Sequence, residues 1–172
     1  MNLLDYLPTV PDFPKPGIMF KDISPLLAEK NAFSHSMNEL HRLSQFADFD
    51  YIMGIESRGF IFASALAQLS NKGLILARKP NKLPSKTYSE HYGLEYGKDS
   101  LEIQQNIIPP MANILLIDDV LATGGTIAAA ASLVKKAGAR VAGALVLLEI
   151  TELLGRNKLS ASHIQTKSLI EI

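Results

Sequence analysis

The sequence predicts an α/β fold, a central, mostly parallel twisted sheet flanked by helices, and three stretches carry that prediction. In the first, the apolar run Ile114–Ile117 reads as a buried strand, and the carboxylates Asp118 and Asp119 follow at its end. A loop of small residues then runs from Ala122 to Thr126, and Ile127–Ala131 is a strong helix former. In the second, Tyr51–Ile55 reads as a core strand, ends in Glu56, Ser57, Arg58 and Gly59, and gives way to an apolar helix over Phe60–Leu69. In the third, Gly73–Ala77 is a strand that also ends in charge, at Arg78 and Lys79. Strands this apolar are covered on both faces, as in a parallel sheet. Ligands of such sheets bind off the carboxyl ends of the strands.

The chemistry of the first loop follows from its residues. Gly124 and Gly125 lack Cβ, so backbone N–H groups can wrap around an anion at low steric cost. The helix that starts there favours negative charge through its N–H groups and dipole. Thr123 and Thr126 add hydroxyl donors. Asp118 and Asp119 repel such an anion and suit instead the hydroxyls of a sugar, or a bound cation. A phosphate beside a diol describes a ribose 5′-phosphate; a plain capped helix after a core strand is the structural alternative. Two other phosphate loops are excluded. No Gly-Lys-Ser/Thr triplet precedes a helix, as a Walker loop requires, and no Gly-x-Gly-x-x-Gly follows the first strand, as a dinucleotide fingerprint requires.

Composition narrows the class. The 172 residues are 47% hydrophobic and 20% charged, which suits one globular domain, 1–172. The formal net charge is zero, so no global field draws the chain to nucleic acid or an anionic membrane, and any anion site is local. The absence of cysteine excludes disulfides and thiolate metal sites. No apolar run approaches the ~18 residues of a membrane helix. Early residues such as Asp5 and Pro8 do not form a signal segment, so a soluble, cytoplasmic protein is expected.

The remaining elements follow in chain order. Pro8, Pro11, Pro14 and Pro16 forbid a regular helix after a possible turn over Asn2–Leu7. Residues 14–17 form a rigid turn, and 17–22 lay apolar side chains along a short extended segment. This arm either packs on the core or walls a site for a flat ligand. Ser24 caps a short helix and Asn31 a longer one, on which Phe33, Met37, Leu40, Leu43 and Ala47 face a core. His35 and His41 have no other ligand at metal spacing. Arg78, Lys79, Lys82 and Lys86 form a basic cluster broken by Pro80, Pro84, Gly93 and Gly97, too long for an ordinary βα loop. It reads as a mobile flap or hairpin whose lysines meet an anionic substrate, or as a solvated loop. Leu101–Gln104 alternates like a returning strand, and Glu95 and Glu102 are the carboxylates of this segment. Leu133, Val134 and Ala137 extend a helical apolar face that stops at Gly138. Val141–Leu148 is a buried strand, Thr151–Arg156 has room for a helical turn, and Ser168–Ile172 is a last strand. His163 receives no role.

Asp118–Thr126 resembles, without a gap, the ribose-phosphate signature of the type I phosphoribosyltransferases. The resemblance narrows to the adenine phosphoribosyltransferase family through Pro11–Asp22, Gly54–Phe60, Arg78–Pro84, Leu94–Gly97 and Ser100–Ile103, all in that family's order. It implies the type I fold, with a small hood from an N-terminal arm (1–30) and a flexible flap (78–105). It also implies a purine-salvage reaction in the cytoplasm: adenine plus 5-phosphoribosyl-1-pyrophosphate (PRPP) gives AMP plus pyrophosphate, with Mg²⁺. The partners are then small molecules, with neither nucleic acid nor membrane, and a second copy of the chain in a homodimer.

The same resemblance implies the site residues. Ala122, Thr123, Gly124, Gly125 and Thr126 hold the 5′-phosphate, and Asp118 and Asp119 the ribose. Ser57, Arg58 and Gly59, with a non-proline cis peptide within Glu56–Arg58, bind pyrophosphate together with Arg78 and Lys82. Backbone groups around Met19 and Lys21 read adenine, with Phe20 and Val120 against its ring. Mg²⁺ is held mainly by pyrophosphate and sugar oxygens, with no direct protein ligand. Ala122 stands where hypoxanthine-guanine enzymes carry an aspartate that serves the base, so proton handling falls to Glu95 of the flap, with Tyr96 closing beside it. Asn81 replaces a common glycine, and Met19 a branched aliphatic. A phosphoribosyltransferase for another 6-substituted purine is the alternative within the class. A PRPP-sensing regulator is the alternative outside it, although such proteins carry a DNA-binding domain or a basic face that this sequence lacks.

Overall fold

Apolar runs punctuated by glycine and charge give a chain whose packing divides into two units, Met1–Glu39 and Leu40–Ile172. The computed structural model describes residues 1–93 and 99–172.

In the first unit the proline-rich start is a 3-10 turn, Leu3–Tyr6, followed by a small ribbon. Strands β1 (Thr9–Val10) and β2 (Phe20–Lys21) pair antiparallel, Thr9 with Lys21 and Val10 with Phe20. Between them Phe13–Pro14 is cis, and Gly17, at φ +86°, donates its N–H to Asp12 Oδ1 at 2.7 Å. Helix α1 spans Ser24–Ala28. Its cap position is Ile23 rather than the expected Ser24. Asp22 Oδ1 takes over the acceptor role, receiving the Ser24 N–H at 2.9 Å and its hydroxyl at 2.7 Å. Helix α2 (Lys30–Ser44) crosses the boundary between the units and already includes Asn31, whose N–H is accepted by Glu29 Oε1 at 3.2 Å. Its buried face is Ala32, Ser36, Met37, Leu40 and Ser44, while Phe33 and Leu43, expected in the core, are half-buried. Two serines fit that face because their hydroxyls turn back on the helix, to Phe33 O and His41 O, each at 2.7 Å.

The second unit is built on β3 (Tyr51–Ile55), α3 (Gly59–Ser70), β4 (Gly73–Ala77), β5 (Thr87–Tyr92), β6 (Asp99–Gln104), β7 (Asn113–Leu121), α4 (Gly125–Lys136), β8 (Arg140–Glu149), α5 (Gly155–Ala161) and β9 (Thr166–Glu171). Five strands form one parallel sheet in the order β4-β3-β7-β8-β9. Alternation sorts the sheet residues between two layers. Met53, Ile55, Ile114, Leu116, Ala144 and Val146 join Ile127, Ala130 and Val134 of α4 in the main core cluster. The intervening Ile52, Leu115 and Ile117 are equally buried, and α3 with Phe62 and Leu66 packs on β3 and β7.

Strand β7 runs further than the apolar run that announces it. It continues through the acidic pair to Leu121, because Asp118 and Val120 still pair with Val146 and Leu148 of β8. Helix α4 correspondingly starts at Gly125, with Gly124 at φ +78° before it and Gly138 at φ +76° after it. The segment after β4 is a hairpin, β5 with β6, and its root is joined to β4: Arg78 and Glu102 exchange backbone hydrogen bonds at 2.8 and 2.7 Å. Its first strand leans on α4, where Lys136 Nζ lies 2.6 Å from Glu90 Oε2 and Ser132 donates to the same oxygen at 2.9 Å. Past β8 there is more helix than expected: a 3-10 turn over Thr151–Leu153, then α5.

Candidate active site

The strand order reverses direction between β3 and β7: the chain leaves β3 for β4 on one side, and β7 for β8 on the other. Crevices at such points are where open α/β sheets bind ligands. The pairing of Gly54 with Ile117 sets the end of β3 beside the acidic pair. The two loops that the sequence singles out are therefore neighbours. Helices α3 and α4 both begin at this edge, and no side chain caps either start. Their first N–H groups and positive dipole ends thus face the same crevice.

The β3–α3 turn is made of charge. Its Glu56–Ser57 peptide bond is cis, within the span where the family resemblance implies one. Gly59 opens α3 directly against β7: a Cβ there would lie 2.8 Å from Asp118 Oδ1 and 2.9 Å from Ile117 O. Arg58 Nε sits 2.6 Å from Asp119 Oδ2. This is a close ion pair whose geometry is off the line of a directed hydrogen bond. Arg78 Nε reaches Glu56 Oε2 at 3.2 Å, and the Lys79 N–H donates to that same oxygen at 2.8 Å. Burial raises the Glu56 carboxyl, but these two donors together with the charges of Arg78 and Lys82 outweigh it and hold it below the ordinary value. Lys82 is exposed, and its carbonyl accepts from Arg78 Nη1 at 3.1 Å.

The β7–α4 loop has no charge of its own. Asp118, Val120, Ala122, Thr123, Gly124 and Thr126 line a small pocket of about 60 Å³. Asp119 is 6% exposed, and its N–H donates to Asp118 Oδ1 at 2.9 Å. Burial, and then the charge of Asp119, push the Asp118 carboxyl well above the usual range. Burial also raises Asp119, against the pull of Arg58. The pair therefore holds protons more tightly than free carboxylates do, and a positive charge arriving beside it favours full ionisation. Tyr92 of the hairpin meets the Thr126 side chain in a hydrogen bond, while burial and then the charge of Asp99 raise its hydroxyl.

A larger hollow, about 520 Å³, opens at the opposite edge, where Tyr51, Gly73 and Pro109–Ala112 mark the strand starts. The glycine loops, the acidic pair and the helix starts lie at the other edge, and the chemistry lies with them.

The structure thus brings together Ser57, Arg58, Gly59, Arg78, Asp118, Asp119, Val120 and Ala122–Thr126. Met19, Phe20 and Lys21 lie in the first unit, Met19 being 60% exposed. Glu95 and Tyr96 lie outside the described residues. Three features escaped sequence reasoning. Glu56 organises Arg78, and Arg58 pairs with Asp119 rather than standing free. Gly155 of α5 packs against the phosphate-sized loop so closely that a Cβ on it would overlap Ala122 O. Only the last left a signal, a glycine just ahead of the positively charged Arg156 and Lys158.

Comparison with known proteins agrees with this geometry. The phosphoribosyl transferase domain family matches residues 23–161. An adenine phosphoribosyltransferase of Polynucleobacter asymbioticus is 59% identical over 99% of both chains. The crystal structure of adenine phosphoribosyltransferase from Thermoanaerobacter pseudethanolicus superimposes with a TM-score of 0.93 at 40% identity, covering 99% of this chain and 98% of that one. That of Saccharomyces cerevisiae, complexed with adenine and an imino-altritol bisphosphate, gives 0.88 at 36% identity over 97% and 96%. The chain belongs to the adenine phosphoribosyltransferase family of type I phosphoribosyltransferases, enzymes of purine salvage that form AMP from adenine and PRPP.

Proposed function

We propose that, in transferring the 5-phosphoribosyl group from PRPP to adenine, this chain works by positioning and charge stabilisation rather than through a covalent intermediate. The observation that carries the reading is the pair of uncapped helix starts flanking the carboxylates Asp118, half-buried, and Asp119, buried, at one crevice. Ala122–Thr126 and the first turn of α4 hold the 5′-phosphate. Ser57, Arg58 and Gly59, with the start of α3, receive the pyrophosphate, and Arg78 and Lys82 add positive charge as it leaves. Asp118 and Asp119 accept from the ribose hydroxyls. Their raised proton affinity falls as positive charge grows on the sugar ring, so their stabilisation is strongest in the transition state.

Among the described residues no three carboxylate or imidazole side chains cluster to hold a metal. The acidic pair beside the Arg58 guanidinium suits a hard dication carried on substrate oxygens, with the carboxylates at most an indirect support. Mg²⁺ held on the substrate oxygens would neutralise part of the pyrophosphate charge. Arg58 keeps Asp119 oriented.

Adenine is the base by kinship with the relatives named above, including the yeast enzyme that holds it. Met19, Phe20 and Lys21 offer backbone donors and acceptors to its amino edge, with Phe20 and Val120 against the ring. An oxo group at that edge would face an acceptor. Glu95 exchanges the purine proton. We read the chain as one catalytic domain, cytoplasmic and working as a homodimer. No described helix is long and apolar enough to cross a membrane.

The decisive experiment measures AMP formation from PRPP with adenine, hypoxanthine and guanine, with and without Mg²⁺. Turnover is expected with adenine and Mg²⁺; equal rates with all three bases would overturn the base assignment. For Glu95→Ala, kcat falls about a hundredfold, with PRPP affinity nearly unchanged; an unchanged kcat removes Glu95 from the role.

A further inference from the structure

We propose that Lys158 is a phosphate-binding residue of this site, its ammonium closing the Ala122–Thr126 cradle from the α5 side. The inference rests on the reading of that loop as the 5′-phosphate site. It starts from an electrostatic deficit. Residues 122–126 carry no charge, the nearby Asp118 and Asp119 are acidic, and Arg58 is engaged with Asp119. A phosphate dianion in such a cradle would meet helix N–H groups and hydroxyls but no full positive charge.

Helix α5 is fixed in the right place to supply one. Gly155 seats its first turn on the loop: a Cβ at Gly155 would overlap Ala122 O and lie 3.0 Å from Gly124 N, and one at Gly124 would lie 2.9 Å from Gly155 O. Arg156 locks that seating from behind. It pairs with buried Glu149 at the end of β8 and donates to Thr166 O at 2.8 Å, Ser168 Oγ at 2.6 Å and Glu171 Oε1 at 2.8 Å. Leu159, fully buried, adds to the seating, its Cγ lying 3.4 Å from where a Cβ on Gly124 would stand. Lys158 follows Gly155 by three positions, so the two share a helix face. Its Nζ lies 3.8 Å from the point where a Cβ on Gly125 would stand, the same distance as Thr123 Oγ1. The ammonium and a cradle hydroxyl therefore converge on the first residue of α4. No carboxylate among the described residues forms an ion pair with Lys158.

The test is calorimetric titration of the full chain with ribose 5-phosphate and, separately, with adenine, at low salt. Lys158 is exposed, so its substitution leaves the fold intact. Lys158→Ala is expected to weaken ribose 5-phosphate about fivefold, Lys158→Arg to restore it, and the loss to shrink as salt rises. Adenine affinity stays constant. A parallel amide-shift titration of the unaltered protein separates the two readings. If the N–H groups of residues 123–126 shift with ribose 5-phosphate while Lys158→Ala binds it as well as before, the Lys158 proposal alone is overturned. If those amides do not shift, the loop assignment fails and takes the proposal with it. An equal loss for adenine would also overturn it, by showing a general effect on the site.

Discussion

The two loops at the crevice solve one problem with opposite materials. Each follows a parallel strand and opens a helix that no side chain caps. The β3–α3 turn is held by side chains: Glu56 with Arg78, and Arg58 with Asp119. The β7–α4 loop is held by main chain, through Gly124 against Gly155 and backbone donors at the start of α4. The difference suits what each is proposed to hold. A leaving group has to be neutralised and then released, a task for charges that can exchange partners. A phosphate that stays on substrate and product alike needs a fixed cradle.

The contrast predicts opposite sensitivities: the charged turn breaks when a charge is removed, the small-residue loop when volume is added. The largest effect is expected for Arg58→Ala, which removes a proposed pyrophosphate contact and leaves Asp119 buried without its ion pair. Steady-state kinetics should show kcat/KM for PRPP down about a hundredfold, the scale of a lost hydrogen bond to a charged group. A loss of less than tenfold would mean that backbone donors carry this loop too. Next comes Gly155→Ala, whose new methyl meets Ala122 O. Overpacking of this kind costs about 1–3 kcal/mol, seen as a lower midpoint in denaturant unfolding, together with weaker ribose 5-phosphate binding. Stability kept in full would show that the loop can yield. Thr123→Ala should cost only about threefold in PRPP affinity, since neutral hydrogen bonds contribute little net. A hundredfold loss would make side chains the carriers in both loops.

The smallest effect is the pH dependence that Glu56 gives the charged turn. The folded-state value of Glu56 lies below its ordinary 4.5. Its contribution to stability is therefore present in full above that ordinary value and is lost as pH falls through the depressed one. Urea unfolding of the unaltered protein and of Glu56→Gln should differ at neutral pH and converge on acidification. A constant gap across that window would refute the linkage.

The sheet was legible because its strands are apolar on both faces and each ends in an abrupt change of residue type. Tyr51–Ile55 and Gly73–Ala77 keep the bounds that the residues suggest. The end of β7 did not, since Asp118 reads as loop although its backbone still pairs with Val146. Capping misled twice, at Ser24 and Asn31, because acidic side chains two residues earlier took the amide. The site's residue types were plain in the sequence, but their pairing was not. Nothing local to Arg58 says that its partner is Asp119, far along the chain, and only the register of β3 on β7 decides it. Helix α5 was missed for a related reason: residues 155–161 are short and polar, and their worth lies in one close approach to Ala122.

That register has a consequence for substrate length. The two anion loops sit at the ends of adjacent strands, and adjacent strands are ~4.8 Å apart because main-chain hydrogen bonds fix them there. On the proposed assignment the sheet is a gauge, setting the span between the 5′-phosphate and the pyrophosphate of a donor by backbone dimensions that side-chain substitution cannot alter. Measured against it, a single five-carbon sugar is a matter of architecture, whereas the choice of base is left to groups outside the two anion loops.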